Sequence, residues 1–447
     1  MPTEAEIVEV DGREIRVTNP SKVYFPEIGV TKLDLVRYYE DVADAALVGC
    51  RDRPEILHRF PDGVEGESFY QKRLPKGAPE WIETTTIHFP SGRSATEVVL
   101  ADAAHLVWAA TLGCLEINPW PVRRDDVDHP DELRVDLDPT PDAPFDDVRR
   151  VALVAANVLR DHGLEGFPKT SGKRGIHVNV RIEPRWEFTT VRRAALAFAR
   201  EVERRIPDIA TTAWWKEERV GVFLDYNQNA RDRTVASAYS VRPTPDGRVS
   251  CPIAWDEVAD VEPERFTIRT VPERLRSVGD PGAALDDHPG SIEPLLELAE
   301  RDEAGGLSDA PWPPHFPKGD AEPPRVQPSK RRAGRDGAVP APAPGKRAGP
   351  TGRRRTTVPL IEITRAATEP EALAGLERWR AKHPEASENV GEAEVLVDKM
   401  RGRSEVWYRI RVNLRNVPEA ERPTQDALEV DYDPWEGMTQ PGGDPPS

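Results

Sequence analysis

Cysteine is scarce in this chain. The three present, Cys50, Cys114 and Cys251, lie far apart, and none belongs to a C-x-x-C pair. That argues against a cysteine zinc site or a disulfide framework, and it fits a reducing cytoplasm. Apolar runs long enough to span a bilayer are missing as well. The opening residues, MPTEAEIVEV, are acidic and have no apolar signal core. The expectation is a cytoplasmic protein with no membrane partner. Positive charge is not in surplus either: 61 Lys and Arg face 78 Asp and Glu, a formal net charge of −17. A generally basic nucleic-acid coat is disfavoured, but a local basic groove is not, because patch charge matters more than the total.

What is present is a globular composition, 38% hydrophobic and 31% charged over 447 residues. That length allows about two or three domains at roughly 150 residues each. One stretch organises the rest, Leu133-Arg-Val-Asp-Leu-Asp-Pro139. In a strand, side chains alternate faces. Asp136 and Asp138 then share one face, and Val135 and Leu137 share the other. Two acids on one face repel unless a cation sits there, and a hard divalent ion held by carboxylate oxygens is one resolution. Pro139 ends the strand, since it cannot donate to a ladder. A solvated edge strand is the other reading, and a D-x-D alone does not choose between them.

The chain around this stretch supplies context. Ile7 to Val17 reads as a hairpin about Asp11-Gly12. A helix starts after Thr31 as N-cap, with Leu35, Tyr38, Tyr39, Val42, Ala46 and Leu47 as one buried stripe. Lys32 stands at its start, where the dipole disfavours a cation, so it is either solvated or waiting for a ligand. Phe69-Tyr70 lies beside Lys72 and Arg73. Adjacent aromatics in an extended segment point to opposite faces, so one of the two is expected to be exposed as a stacking platform, the alternative being core packing for both. Strands are expected at 81–89, 98–100 and 115–118. Helices are expected from Asp102 to about Leu112, from Asp146 to Asp161 and from about Thr190 to Arg205.

Two further stretches carry chemistry. Phe167 to Arg181 holds a turn with Ser171, Gly172, Lys173, Arg174 and Gly175, then a strand with His177, Asn179 and Arg181 on one face. A Gly-rich turn lets backbone N–H groups approach an anion, and Lys173 and Arg174 add charge. This suits a phosphate chain, although the Walker A spacing is absent. Strands are then expected at 211–215, 220–226 and 238–242. The second ends an apolar run with Asp225, a carboxylate that needs a partner if buried. Three acids on two strands, with a phosphate-type turn between them in sequence, meet the demands of two-metal nucleotidyl transfer. That chemistry uses carboxylates to hold two cations about 3.5–4 Å apart, and donors along the triphosphate.

These residues resemble a family. Asp136-Leu-Asp138, Ser171-Gly-Lys-Arg-Gly-Ile-His177 and Phe223-Leu-Asp225-Tyr-Asn-Gln-Asn229 are similar to the three motifs of archaeo-eukaryotic primase-type polymerases. More closely, they resemble the polymerase domain of bacterial ligase D, the non-homologous end-joining enzyme, and its stand-alone relatives. The likeness runs from about residue 7 to residue 300 and includes Asn19 to Pro26 and Tyr239-Ser-Val-Arg242.

The resemblance implies that Asp136 and Asp138 bind both metals, Mn2+ or Mg2+, and that Asp225 joins the catalytic metal and helps activate the primer 3′-hydroxyl. It implies that Ser171 and His177 hold the nucleotide phosphates, aided by Arg242 and Arg219, and Lys173 of the turn is placed with them as a nucleotide-site residue. Phe69 and Tyr70 match an aromatic pair that stacks on the base or template. Lys22 and Lys32 match lysines that grip a 5′-phosphate on downstream DNA. Two departures stand out: Asn118 where the family usually has histidine, and His58 where it has a lysine near the nucleotide. Both positions are kept as nucleotide-site residues. The implied fold is α+β, a two-part primase-polymerase-type catalytic core around mixed and antiparallel sheets.

The implied activity is metal-dependent, template-directed addition of NTPs or dNTPs, with ribonucleotides preferred, at primer 3′ ends in gap filling or end joining at the nucleoid. The implied partners are DNA with a gap or end bearing a 5′-phosphate, a Ku-type end-binding protein and a separate ligase. No K-x-D-G nucleotidyl-lysine motif is found, so no ligase activity is expected. Alternatives are a primase-like initiator and a catalytically weak DNA-end-binding repair factor, the latter favoured by Asn118 and His58. The expected organisation is a catalytic domain over 1–305 and a basic Pro/Ala/Gly-rich disordered linker over 306–357. A small α+β module of unknown role over 358–435 and a disordered tail over 436–447 complete it.

Overall fold

Alternating runs about Asp11-Gly12 open the fold as expected. In the computed structural model, which describes residues 4–89, 92–313, 316, 360–391, 394–401, 406–418 and 421–432, β1 (Ala5–Val10) pairs antiparallel with β2 (Arg13–Thr18). β3 (Val23–Phe25) and β4 (Val30–Thr31) follow. Thr31 then caps a helix: its hydroxyl accepts from the Asp34 amide at 3.2 Å, and the Asp34 carboxylate accepts from the Thr31 amide at 2.7 Å. The helix does not run on to Leu47. α1 (Lys32–Asp41) ends and α2 (Ala43–Cys50) begins about Val42, which leaves helical geometry at ψ 7°. The apolar stripe is buried regardless, because both helices lie on one core.

The chain continues through β5 (Pro54–Glu55), β6 (Leu57–Arg59), β7 (Phe69–Gln71), β8 (Thr84–His88) and β9 (Ser94–Val99). Asp102 caps α3 (Ala103–Thr111) by accepting from the His105 amide at 3.1 Å, and β10 (Cys114–Glu116) follows. Two three-stranded sheets result, ordered β10-β6-β7 and β5-β9-β8.

The organising strand is β11 (Glu132–Pro139). α4 (Phe145–Asp161), β12 (Phe167–Thr170), β13 (Ile176–Arg181), α5 (Phe188–Arg205), β14 (Ala210–Thr211) and β15 (Val222–Leu224) complete a sheet of order β12-β13-β11-β15-β14. All its pairs are antiparallel except β14 with β15. Leu133, Val135, Leu137, Ile176, Val178 and Val180 form its apolar face and share a core with Val148, Val151, Ala195 and Phe198 of the two helices. The expected strands at 211–215 and 238–242 shrink. Only Thr211 of the first pairs, in β14, and the second makes a single bridge, Val241 to Val249.

The sheet's other face is polar but largely buried. Arg53 grips Asp131 at 2.6 and 2.9 Å, and Arg181 donates to Glu132 at 3.1 Å and to Asp286 at 2.6 Å. Paired guanidinium–carboxylate bonds of this kind satisfy charges that would be costly alone. They also tie the segment before β5 to the start of β11. α6 (Val271–Val278) and α7 (Glu293–Ala304) follow, and α7 packs on α5.

The chain divides into two compact units, Met1–Arg331 and Arg332–Ser447. The second contains β16 (Leu360–Ala366), α8 (Glu369–Lys382), α9 (Pro384–Glu388), β17 (Val395–Arg401) and β18 (Val406–Asn413), with sheet order β16-β18-β17. Its core joins Ile361, Ile363, Leu376, Trp379, Ile410 and Val412. In α8 Ala372 faces the core, and Leu373 is exposed. The basic clusters at 330–332, 346–347 and 353–355 and the tail 436–447 lie outside the described residues. Among those described, no helix is long and apolar enough to cross a membrane.

Two stability tests follow from this packing. Gly221, which leads into β15, has φ +73°, and a Cβ there would meet the Ile209 carbonyl oxygen at 2.2 Å. Gly221→Ala is expected to lose about 1–3 kcal/mol in denaturant unfolding. Glu97 is fully buried and accepts from the Trp120 indole at 2.9 Å. Burial pushes its carboxyl up from 4.5 to about 8. The unfolded chain ionises first, so this group's contribution to stability is lost as pH rises from about 4.5 to about 8. Glu97→Gln is expected to raise Tm by about 2 °C or more at pH 8 and to change it little at pH 4.

Candidate active site

Register decides what the central sheet brings together. Lys169 of β12 pairs with His177 of β13, and His177 pairs with Asp136 of β11. The Asp225 amide, just past β15, donates to the Asp136 carbonyl at 2.9 Å. Four residues thus form one row, three of them on strands and Asp225 just beyond a fourth, and Asp138 stands opposite Phe223 two positions along β11. The alternation expected for Asp136 and Asp138 holds: both lie on the polar face, and Asp138 is exposed at the strand end.

The carboxylates are under mutual strain. Burial first, then the Asp225 and Asp138 charges, push the Asp136 carboxyl well above its usual range. Asp225 is raised too, again mainly by burial, and it accepts from the Asn227 amide at 3.0 Å and the Gln228 side chain at 3.1 Å. An all-oxygen donor set whose members repel one another suits a hard divalent cation. Among the described residues, however, no three His, Cys, Asp or Glu side chains converge as a formed metal site.

The phosphate-type turn is built by its own serine. The Ser171 Oγ accepts from the amides of Lys173 at 3.2 Å and Gly175 at 3.0 Å, and the Ser171 amide donates to the Gly175 carbonyl at 2.9 Å. Gly175 lies against β11, where a Cβ would meet the Leu137 carbonyl oxygen at 2.5 Å. Lys173 is exposed at the tip. Arg174 does not join it, contrary to expectation: its guanidinium turns to the carbonyls of Thr140, Pro141 and Ala143 and ties down the end of β11. His177 places Nε2 3.4 Å from the Asp136 Oδ1 and Nδ1 2.8 Å from the Lys169 Nζ.

Glu116 organises the opposite wall. It is buried, takes the His58 Nδ1 at 2.5 Å, and lies 3.1 Å from the Arg242 guanidinium. Burial alone would raise its carboxyl, but His58 and Arg242 outweigh that and hold it low. The His58 ring lies under Tyr70, centroids 4.0 Å apart and planes 17° apart. Phe69 meets Arg59 at 5.3 Å. Both aromatics are exposed, Phe69 at 46% and Tyr70 at 61%, where only one was expected to be. The reason is position: β7 is the edge of its sheet. Asn118 is buried, and its amide donates to the Glu116 carbonyl at 3.3 Å. Arg219 lies over the Phe223 ring and donates to the carbonyls of Ala213 and Trp214 at 3.0 and 3.1 Å.

A second cationic group lies in the first half of the fold. Lys32 is not solvated. It is 6% exposed and donates to the Thr18 carbonyl at 2.9 Å. Burial, then the like charges of Lys22 and Arg59, lower its ammonium to about 8. Lys22 reaches the Pro61 carbonyl at 2.8 Å and Asp62 at 2.5 Å.

Sequence reasoning missed Lys169, Glu116 and Gln228. Gln228 sits inside a quoted motif, with nothing local to mark it. Lys169 carried a signal: Ser171 closing on Gly175 sets the hairpin register, and two residues back along each arm pairs Lys169 with His177. Glu116 had none, because its partners are 58 residues away for His58 and farther still for Arg242.

Comparison with known proteins adds a family. The model described as LigD, primase-polymerase domain, matches residues 31–282. The multifunctional non-homologous end joining protein LigD of Mycolicibacterium smegmatis is 31% identical over 307 residues, covering 68% of this chain and 40% of that protein. Its namesake in Pseudomonas aeruginosa is 30% identical over 64% of this chain and 34% of its own length. The chain therefore spans less than half the length of these curated relatives. Among solved structures, the polymerase domain of Mycobacterium tuberculosis ligase D in complex with DNA aligns with a TM-score of 0.57 and 30% identity. The alignment covers 61% of this chain and 98% of that one.

The repelling carboxylates make a prediction of their own. Asp136→Asn is expected to raise the Tm of the metal-free protein by about 2 °C or more at pH 7.5, since a crowded charge is removed. Added Mn2+ is expected to raise the wild-type Tm and to shift the variant less. Equal shifts in scanning fluorimetry would detach Asp136 from any metal.

Proposed function

The chain belongs to the LigD primase-polymerase domain family, and on that premise we propose that it is a metal-dependent, template-directed nucleotidyltransferase extending primer 3′ ends in gap filling or end joining. The observation that carries this is the register row, which sets Asp136, Asp225 and His177 side by side on the polar face, with Asp138 open at the strand end. In this reading Asp136, Asp138 and Asp225 hold Mn2+ or Mg2+, which supplies charge neutralisation at the phosphates and acidifies the primer hydroxyl. His177 Nε2, the amides of the Ser171 turn, Lys173, Arg242 and Arg219 receive the triphosphate. Tyr70, stiffened by the His58 ring beneath it, and Phe69 offer faces for a base. The incoming substrate is an NTP or dNTP, with ribonucleotides preferred.

The similar solved domain is in complex with DNA, and DNA is the partner proposed for this chain. Lys32, buried beside the charges of Lys22 and Arg59, gains most from an anion, which suits a 5′-phosphate at a gap. The relatives' names place them in non-homologous end joining. A Ku-type end-binding protein and a separate ligase are the proposed pathway partners.

Primer extension on a gapped duplex with a 5′-phosphate tests the activity, with Mn2+ or Mg2+ and with rNTPs or dNTPs. Incorporation is expected, falling by about 100-fold or more in Asp225→Asn. DNA binding without any incorporation by the wild type would sink this reading and favour an end-binding factor. Preference for a 5′-phosphate over a 5′-hydroxyl is a separate test. Lys32 loses its charge as pH rises through about 8. The ratio of the two affinities is therefore expected to fall between pH 7 and pH 9 and to approach one in Lys32→Met. A ratio unaffected by both changes would remove the lysines from the phosphate.

A further inference from the structure

The row does not end at His177, because Lys169 stands behind it. Lys169 is 2% exposed and cannot itself reach a nucleotide. Its ammonium has three hydrogens, and three acceptors surround it. These are the Ala236 carbonyl oxygen at 2.8 Å, the Ser250 Oγ at 2.7 Å and the His177 Nδ1 at 2.8 Å. A carbonyl only accepts. The Ser250 hydroxyl gives its one hydrogen to the Thr170 carbonyl at 2.8 Å, so toward the lysine it accepts as well. The third hydrogen is left for Nδ1, which then cannot carry a proton of its own.

We propose that Lys169 is a positioning residue that locks His177 in the Nε2–H tautomer and aims that N–H at Asp136 and the nucleotide's phosphate oxygens. In this form His177 is a neutral ring whose site-facing nitrogen donates, which is what a phosphoryl oxygen requires. The lysine is out of contact with solvent; burial, then the Arg242 charge, lower its ammonium to about 7 against the pull of Asp136 and Glu132. A competing arrangement is a neutral amine accepting from an Nδ1–H. That would turn the bare Nε2 lone pair toward the Asp136 oxygen 3.4 Å away, and it would leave no site-facing N–H for a phosphoryl oxygen. The cross-strand pairs Lys169–His177 and His177–Asp136 make this a relay of orientation across β12, β13 and β11. It resembles the way a second residue fixes the tautomer of a working histidine elsewhere.

The inference rests on the polymerase reading for its purpose but not for its test. The full chain, labelled with 15N-histidine, is studied by two-bond 1H–15N correlation at pH 6, and the His177 signals are identified by their loss in His177→Gln. The expected pattern is a protonated Nε2 and a bare, hydrogen-bonded Nδ1. A protonated Nδ1 would overturn the proposal, whether or not the protein extends primers. The second readout is calorimetric binding of ATP with Mn2+. Lys169→Met is expected to weaken it about tenfold, and Lys169→Gln, which keeps an N–H donor, is expected to recover part of the loss. If folded Lys169→Met binds ATP as the wild type does, Lys169 is only a structural residue. Should Lys169→Met not fold, the wild-type spectrum and Lys169→Gln still decide. A wild type with the expected tautomer but no incorporation would sink the polymerase reading alone.

Discussion

A strand repeats every two residues, so slipping β13 by one position against β11 would exchange its faces. His177 would leave the Asp136 row, and Ile176 and Val178 would turn onto the polar side. What prevents the slip is the apolar face. Leu133, Val135 and Leu137 of β11 and Ile176, Val178 and Val180 of β13 must all meet α4 and α5 at once. Burial of those six side chains, at about 1.5–3 kcal/mol each, is the force that aligns Lys169, His177, Asp136 and Asp225. The chemistry on one face is thus positioned by the packing on the other.

The polar face is arranged in rows of differing character. Toward the start of β11, acids and arginines neutralise one another, with Arg53 on Asp131 and Arg181 on Glu132. At the other end, among the described residues, Asp136, Asp138 and Asp225 form no comparable ion pair with a lysine or arginine, and Asp136 carries the cost as a raised proton affinity. An unrelieved cluster beside a well-paired one marks the place where binding something positive returns stability. The opposite wall has its own economy. Glu116 joins His58, which supports the Tyr70 ring, to Arg242, so one buried carboxylate links the exposed aromatic pair with a guanidinium.

Local chemistry was legible from the residues alone. The Asp11-Gly12 hairpin, the Thr31 and Asp102 caps, the helix over 146–161 and the shared face of Asp136 and Asp138 all depend on neighbours a few residues apart, where periodicity and capping act. The Ser171–His177 turn was legible for the same reason, and so was the family it resembles. Elements whose limits are set by distant contacts were misjudged. The helix after Thr31 breaks at Val42, and the run 238–242 makes one bridge rather than a strand. Phe69 and Tyr70 are both exposed because they fall on an edge.

Only tertiary structure decided who stands next to whom at the site. Nothing near Asp225 in the sequence says that its amide meets the Asp136 carbonyl, 89 positions earlier. Nothing near Arg174 says that it turns to the end of β11 instead of joining Lys173, and nothing near Glu116 announces Arg242. A strand's period is a property of its own backbone and can be read residue by residue. Its neighbours and its register come from the free energy of closing a whole core, which no short stretch contains.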